Sequence, residues 1–195
     1  MPISAVTLTG RFVRLEPISP RHAEDLEQFT GEPEIWRLMS FGSLRDPAVL
    51  RQFIADRIYD WNRGEGLTFA VIHLATGQAI GTTSLMDFVP ADERLEIGRT
   101  WYGRPFWRTA VNTESKLLLL GHAFEALGCR RVQLQTDSLN LRSQAAILRI
   151  GATKEGTLRR NKTCGDGRIR DSMIFSILKE EWPGAQARLA LLLER

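Results

Sequence analysis

The sequence RPFWRTAVNTESKLLLLGHAFEAL, residues 104–127, changes from a polar, irregular loop into an amphipathic helix. Asn112 is a favourable N-cap residue, and Glu114 lies in the first turn, where the helix dipole favours an acidic side chain. The apolar residues that follow recur at helical spacing and are Leu117, Leu118, Leu120, Ala123, Phe124 and Leu127. A strand ending at Tyr102 precedes the loop. Because a strand that leads into the start of a helix leaves backbone N–H groups free, we expect an anion site here.

The elements on either side of this stretch predict one mixed α/β domain covering residues 1–195. Strands are predicted at 11–17, 67–74, 79–88, 94–102, 129–137, 153–161 and 170–178. Helices are predicted at 20–30, at 32–41 as a short helix or turn, at 47–63, at 140–150 and at 180–194, the last interrupted early by Pro183. This order favours a central twisted sheet of about seven strands with helices flanking it.

The composition argues against several classes of protein. The chain has 26 basic and 23 acidic residues, a balance too even to indicate direct nucleic-acid binding. The three histidines and two cysteines show no metal-ligand spacing, so we expect free thiols and no metal. The N-terminal sequence lacks a signal-peptide pattern, and no apolar run approaches the length of a membrane span. We therefore expect a cytoplasmic protein that does not act at a membrane.

The segment from Trp107 to Ser115 resembles the pyrophosphate loop of the GNAT N-acetyltransferases, in particular their RimJ/RimL-like branch. That branch reads roughly W-G-x-G-x-x-T-E-A, and this chain reads WRTAVNTES, with Arg108 and Ala110 in place of the glycines. The backbone can still hold a phosphate if those two residues adopt ordinary φ angles. The resemblance implies the GNAT fold and acetyl-CoA as co-substrate. It places the pyrophosphate on Trp107, Arg108, Thr109, Ala110, Val111, Asn112 and Thr113.

A second motif begins at Asn140. From spacing alone, Asn140 is a helix N-cap and Ser143 is a residue of the first helical turn. The RimJ/RimL-like enzymes share the pattern N-x-x-S-x-x-x-[VIL]-x-x-x-G-[AF], which is matched by Asn140, Ser143, Ile147, Gly151 and Ala152. In that family the Asn and Ser lie beside the pantetheine arm and the thioester sulfur. The resemblance therefore adds Asn140 and Ser143 to the cofactor site. Ser143 becomes the candidate hydrogen-bond donor to the leaving thiolate, because the tyrosine usual farther along this helix is absent.

Three further residues are candidates on the acceptor side. Glu96 matches the acid of the family's E-I-G segment, which implies a base acting through water or an anchor for the incoming amine. The alternative for Glu96 is a polar residue on the exposed face of an alternating strand. Trp36 and Phe41 belong to an aromatic set that helical spacing assigns to the core. In the family this region forms one wall of the acceptor cleft, so Trp36 and Phe41 are candidate substrate contacts.

A cluster of basic residues surrounds the turn of the last hairpin. Its members are Arg159, Arg160, Lys162, Arg168 and Arg170. One interpretation is a solvated hairpin, because edge strands favour charged side chains. The other is a docking surface for an acidic acceptor, or for ribosomal RNA next to a ribosomal-protein substrate.

The resemblance implies direct transfer of an acetyl group from acetyl-CoA to a primary amine, most simply a protein N-terminal α-amine of the ribosomal-protein type. Two cysteines at non-motif positions, Cys129 and Cys164, argue against an acyl-enzyme. Several alternatives stay open. The acceptor could be an antibiotic, a polyamine or an amino acid, the donor could be succinyl-CoA, and the chain could be a CoA-binding sensor without catalysis. A homodimer is left open as well.

Overall fold

In a computed structural model that describes residues 3–194, an eight-stranded mixed sheet forms the centre of the protein. The strands are β1 (Leu8–Thr9), β2 (Val13–Pro17), β3 (Gly66–His73), β4 (Ala79–Val89), β5 (Arg94–Tyr102), β6 (Arg131–Asp137), β7 (Thr153–Thr163) and β8 (Ile169–Leu178). Their order is β1-β2-β3-β4-β5-β6-β8-β7, and β5 and β6 run parallel. The predicted mixed α/β fold is confirmed. The additional strand, β1, has only two residues and is too short to show an alternating pattern.

Helices cover both faces of the sheet. They are α1 (Ala23–Glu27), α2 (Pro33–Trp36), α3 (Pro47–Asn62), α4 (Ala110–Gly121), α5 (Leu141–Arg149) and α6 (Trp182–Leu193). Residues of α4, α5 and α6 pack in one buried cluster with Ile97 and Leu134, on the side that we call the α4 face. Residues of α1, α2 and α3 pack in a second cluster with Trp101, on the α3 face. Among residues 3–194, no helix combines the length and apolar character that crossing a membrane requires.

A bulge in β5 separates this strand from β6. The two strands pair from Arg94 to Ile97 of β5, and the pairing ends there. Just beyond, Arg99 has a φ of 49°, and the register between β4 and β5 shifts. An extra residue in one strand of a pair bends that strand. The C-terminal halves of β5 and β6 therefore diverge and leave a gap between the two faces of the sheet.

The helix after β5 begins earlier than the sequence predicts. Thr109, not Asn112, is the N-cap of α4, and its hydroxyl accepts a hydrogen bond from the Val111 N–H at 3.3 Å. Both residues are good caps and lie three positions apart, so propensity alone does not choose between them. The loop decides, because the Trp107 indole donates to the Tyr102 carbonyl at 2.9 Å and fixes the path of the chain.

The prediction for Glu114 is also wrong. This residue is buried, and its carboxylate accepts hydrogen bonds from the backbone N–H groups of Arg11, Phe12 and Val13 at 2.7 Å each. Glu114 therefore ties α4 to the start of β2 rather than interacting with its own helix dipole. Pro183 does not interrupt the last helix, because it lies in the first turn of α6, where a missing N–H leaves no intrahelical bond unmade.

Candidate active site

A cavity of about 1300 Å³ extends through the gap between β5 and β6. A typical small-molecule site has a volume of roughly 300–1,000 Å³, so this cavity has room for both a donor and an acceptor. On the α4 face it is lined by the loop before α4 and by residues of α4 and α5. On the α3 face it is lined by Glu34, Ile35 and residues 38–41, by Glu96 and by the last hairpin.

The structure brings together most of the residues predicted to bind the cofactor. Those that line the cavity are Trp107, Arg108, Thr109, Asn112, Asn140 and Ser143. Val111 and Thr113 are buried beneath them, and the Thr113 hydroxyl accepts a hydrogen bond from the Arg149 guanidinium at 3.0 Å. Ala110 is half-buried at the first position of α4. The N–H groups of Ala110 and Asn112 lie in the first turn and have no acceptor within the helix.

Arg108 adopts a backbone conformation that favours glycine. Its φ is 62°, so the condition of an ordinary φ angle is not met at Arg108, whereas Ala110 is not among the residues with a positive φ. Arg108 occupies the place of the first glycine in the family's motif, and here an arginine adopts a left-handed backbone conformation. A residue with a Cβ atom is destabilised in this region by roughly 1–2 kcal/mol. The conformation persists because the tryptophan before it and the helix cap after it are both held by hydrogen bonds.

Arg142 completes the mouth of the cavity and was not predicted as a site residue. Its guanidinium lies over the Trp107 ring, 3.6 Å from the ring centroid, and 3.7 Å from the Glu34 carboxylate. Arg104, which lies 3.1 Å from Glu34 and 3.5 Å from Glu32, and Arg108, which forms no salt bridge within residues 3–194, also line the cavity, so three guanidinium groups lie beside the start of α4. Such a mouth suits an anionic ligand. The sequence offered a signal, because Arg142 lies inside the motif between Asn140 and Ser143.

Glu96 is the buried carboxylate of the cavity. It is 4% exposed, and one carboxylate oxygen accepts a hydrogen bond from the Gln133 side chain at 2.8 Å. Burial raises the pKa of Glu96 above its ordinary value. The interpretation as an exposed strand residue is wrong, because residues 34–41 and the last hairpin enclose this part of the α3 face. A carboxylate with a raised pKa is suited to accept a proton near neutral pH.

Ser143 lies in the first turn of α5. Its backbone N–H donates to the Asn140 side-chain oxygen at 3.0 Å, so Asn140 is the helix N-cap, as predicted. The cap uses the backbone of Ser143 and leaves its hydroxyl out of this interaction. Since the side chain also lines the cavity, the hydroxyl is available for a ligand.

The two aromatic candidates occupy different positions. Trp36 is 5% exposed, packs against Trp101 with ring centroids 5.0 Å apart, and donates its indole N–H to the Thr30 carbonyl at 2.8 Å. It belongs to the core and does not line the large cavity. Phe41 is half-buried and does line that cavity. Phe41 therefore remains a candidate contact for a substrate, and Trp36 supports the wall behind it.

Lys116 is a cavity residue that the sequence reasoning missed. It is 5% exposed, and its amino group donates to the Thr100 hydroxyl at 2.9 Å, with the Thr83 hydroxyl 3.5 Å away. Among residues 3–194, no carboxylate forms a salt bridge with it. Burial lowers the pKa of Lys116 to about 7 from its ordinary 10.5. The sequence did contain a signal for this residue. Lys116 lies between Thr113 and Leu120 on the buried side of an amphipathic helix, where a lysine is unusual.

We expect Lys116→Met to stabilise the protein in mild acid. At pH 6 the lysine is charged in both the folded and the unfolded chain, and the folded state bears the cost of burying the charge. Each pKa unit corresponds to about 1.4 kcal/mol, but methionine loses the Thr100 hydrogen bond, so we expect a gain of about 2 kcal/mol. Between pH 7 and 10.5 the unfolded chain binds more protons, so wild-type stability rises with pH and the gain shrinks.

Urea unfolding of both proteins at pH 6 and pH 9 measures this effect. The matched control is Lys154→Met, because Lys154 is exposed on β7 and its variant should show no pH-dependent gain. A Lys116→Met variant that is less stable than the wild type at pH 6 would show that the buried amine contributes favourable contacts.

The cysteines do not take part in the cavity. Cys129 and Cys164 are buried free thiols, and neither lines it. Burial is the larger cause, and the charge of Glu93 the smaller cause, of a rise in the pKa of Cys129 to about 11. A thiol with so high a pKa is a poor nucleophile. Within residues 3–194, no group of three or more His, Cys, Asp or Glu side chains could hold a metal ion.

Comparison with known proteins identifies relatives over nearly the whole chain. Residues 13–153 match the model of the family described as "Acetyltransferase (GNAT) domain". A crystal structure described as a "putative acetyltransferase from T. thermophilus" shares 36% identity, covers 99% of this chain and 100% of its own, and superposes with a TM-score of 0.90. The Bacillus licheniformis "Uncharacterized N-acetyltransferase p20" is 27% identical, over 91% of this chain and 99% of its own length. The Bacillus subtilis "Putative ribosomal N-acetyltransferase YdaF" is 25% identical, over 88% and 94%.

Proposed function

Since the chain belongs to the acetyltransferase (GNAT) domain family and is an acyl-CoA-dependent N-acetyltransferase, we propose that it acetylates the α-amine of a protein N-terminus. One observation carries the proposal: the cationic loop and Glu96 line a single cavity from opposite faces of the sheet. A donor held on the α4 face and an amine held on the α3 face would meet in the gap between β5 and β6. The ribosomal acceptor implied by the name of the B. subtilis relative is consistent with a protein N-terminus.

The α4 face fits acetyl-CoA. The free N–H groups at the start of α4 and the cations Arg104, Arg108 and Arg142 suit its phosphates. The gap beyond them, between strands that no longer pair, suits the narrow pantetheine arm, with Asn140 and Ser143 beside it. When bound, acetyl-CoA supplies a thioester whose carbonyl carbon can accept an amine.

On the α3 face, Glu96 would remove the proton that the attacking amine loses as its nitrogen bonds to the acetyl carbon. The carbon–sulfur bond then breaks, and the electron pair stays on sulfur as a thiolate. Ser143 would stabilise that thiolate by donating its hydroxyl hydrogen. The buried, weakly acidic Cys129 lies away from the cavity, which supports direct transfer to the amine without an acyl-enzyme.

An α-amine suits this site better than a lysine side chain. The ordinary pKa is about 7.7–8.0 for an α-amine and about 10.4 for lysine, so far more of the α-amine is neutral at pH 7. Glu96 forms no ion pair within residues 3–194, and it lacks a partner such as histidine that would strengthen it as a base. A modest base of this kind matches the more easily deprotonated amine.

We expect acetyl-CoA to raise the melting temperature, because a ligand that binds only the folded state stabilises it. Ala110→Asp should abolish most of this shift, since it places a carboxylate at the start of α4, where the pyrophosphate would lie. The measurement is a thermal melt with and without saturating acetyl-CoA.

The matched control is Ala48→Asp. Ala48 is exposed in the first turn of α3, so this variant adds the same charge at another helix start, away from the cavity. Ala48→Asp should retain the full shift. If Ala110→Asp retains it as well, the phosphates bind elsewhere and the assignment of the loop is wrong.

A further inference from the structure

Two cations of the last hairpin lie directly opposite each other and line the cavity. Lys162 of β7 pairs with Arg170 of β8 in the strand register, and both side chains reach the cavity wall. Like charges at directly opposed positions of a sheet are destabilising. Of the five cations that surround this hairpin in the sequence, only Lys162 and Arg170 line the cavity within residues 3–194.

Arg170 is the more constrained of the pair. It is 6% exposed, its Nε donates to the Ser172 hydroxyl at 3.1 Å, and a terminal nitrogen donates to the Gln135 side chain at 2.9 Å. Both partners are neutral. Burial lowers the pKa of Arg170, which reflects the cost of keeping its charge in this environment. A buried charge without a counter-ion is expensive, so the arrangement is suited to receive an anion.

The charges of Asp137 and Glu96 act on Arg170 from a distance, but neither acid forms an ion pair with Lys162 or Arg170. Within residues 3–194, no carboxylate lies within the 4 Å of a salt bridge to Lys162 or Arg170, and the nearby Asp137 pairs with Arg168 at 2.5 Å. Arg57 and Arg99 also line the cavity, but each of them has a carboxylate partner. They lie 3.2 Å and 3.3 Å from the same carboxylate, that of Asp60.

The position of the pair points to the acceptor rather than the donor. Arg170 bonds to Gln135, which alternates along β6 with Leu134 and therefore lies on the α3 face. Glu96 bonds to Gln133 on the same face, and the charges of Lys162 and Arg170 act on Glu96. The phosphate-binding loop lies across the sheet on the α4 face. An anion bound by the pair would thus be next to the proposed base.

We propose that Lys162 and Arg170 bind a carboxylate of the acceptor, and that the acceptor is therefore an amine carrying a carboxylate close to its amino group. This inference rests on the proposed acetyl transfer and names the class of amine. Two sources offer the same chemistry: the α-carboxylate of a free amino acid, and an acidic side chain next to a peptide N-terminus. Polycationic amines are disfavoured, because their remaining charges would face this pair.

The experiment compares acceptors that differ only in the carboxylate. One arm uses alanine against alaninamide. The other uses a C-terminally amidated peptide beginning Ala-Asp against its Ala-Asn counterpart. Release of free CoA thiol gives kcat/KM for each acceptor. We expect the carboxylate form to be preferred in at least one arm, roughly tenfold to a hundredfold, as for a hydrogen bond between charged groups. The arm that responds identifies the source.

Variants link the preference to the pair. Lys162→Gln should lower the ratio of kcat/KM for the carboxylate acceptor to kcat/KM for its neutral counterpart. The ratio is the readout because the charge of Lys162 also acts on Glu96, so its loss changes the rate with both acceptors. Lys154→Gln is the matched control, because Lys154 lies exposed on the same strand and does not line the cavity. Lys162 is half-buried and takes no part in the hydrogen bonds that Arg170 donates to Ser172 and Gln135. Replacing Lys162 therefore leaves those hydrogen bonds in place.

Two results would overturn the inference while leaving acetyl transfer intact. One is equal or better use of the neutral acceptors by the wild-type protein. The other is an equal loss of preference in Lys162→Gln and Lys154→Gln. If acetyl-CoA binds but no amine of either type is acetylated, the proposed function itself fails and the inference fails with it.

Discussion

Glu96→Gln is expected to lower kcat by roughly 100- to 10,000-fold, the range that general base catalysis usually contributes. Glutamine keeps the size of the side chain and can still interact with Gln133, but it cannot take a proton from the amine. Acetyl-CoA affinity should be unchanged, because the carboxylate lies on the α3 face and the proposed phosphate site lies on the α4 face. Steady-state kinetics with a saturating acceptor, combined with thermal melts in acetyl-CoA, measure the two effects.

The pH dependence gives a second test of this role. Because burial raises the pKa of Glu96, wild-type kcat should rise with pH through that raised value as the carboxylate becomes ionised. The amine adds its own rise near its pKa. Two acceptors with different amine pKa values separate the contributions. The rise due to Glu96 should occur at the same pH with both acceptors, and it should be absent in Glu96→Gln.

Asp87→Asn is the matched control for charge. Asp87 lines the same cavity but is exposed at a position with a φ of 53°, and its variant removes the same charge. We expect a much smaller loss than for Glu96→Gln. If Asp87→Asn has the larger effect and abolishes the acidic limb, the base is Asp87 and the role assigned to Glu96 is wrong.

Ser143→Ala is expected to lower kcat by about 100-fold, the low end of the range for proton-transfer assistance, because a serine hydroxyl is a weak acid. The thiolate of CoA leaves more easily when a donor meets the sulfur. Acetyl-CoA affinity and stability should change little, because the α5 cap uses the Asn140 side chain and the backbone of Ser143. Steady-state kinetics, thermal melts in acetyl-CoA and urea unfolding measure the three quantities.

The contrast with Asn140→Ala makes the interpretation of Ser143 specific. That variant removes the cap itself and should cost about 1 kcal/mol of stability. A Ser143→Ala variant that loses a similar amount of stability and keeps an unchanged kcat would show that Ser143 is a structural residue of the helix start. The catalytic assignment would then be withdrawn.

The sequence predicted the order of elements well because the strong local signals agree with the packing. The predicted strands at 67–74 and 79–88, the predicted helix start at 47 and the N-cap at Asn140 agree with the structure to within one residue at most of their ends. The family motifs placed Asn140 and Ser143 on one cavity with the loop. These are short-range features, for which spacing along the chain carries the necessary information.

Features set by the register between distant strands could not be predicted in the same way. The bulge at Arg99, which opens the gap, depends on how β5 pairs with β4. The selection of Lys162 and Arg170 from five cations depends on shifts between β7 and β8. The burial of Glu96 depends on which segments pack over that face of the sheet. The alternating pattern within one strand does not indicate which distant segments do so.

The choice of amine tests the central claim most directly. Purified protein and acetyl-CoA should be incubated with two peptides of the same sequence: one with a free N-terminus and an acetylated lysine side chain, the other with an acetylated N-terminus and a free lysine side chain. Mass spectrometry then gives the rate at which each gains one acetyl group, against release of one CoA thiol. We expect the free N-terminus to be acetylated much faster than the lysine side chain, and a lysine rate equal to or above the N-terminal rate would show that the α-amine is not the preferred acceptor.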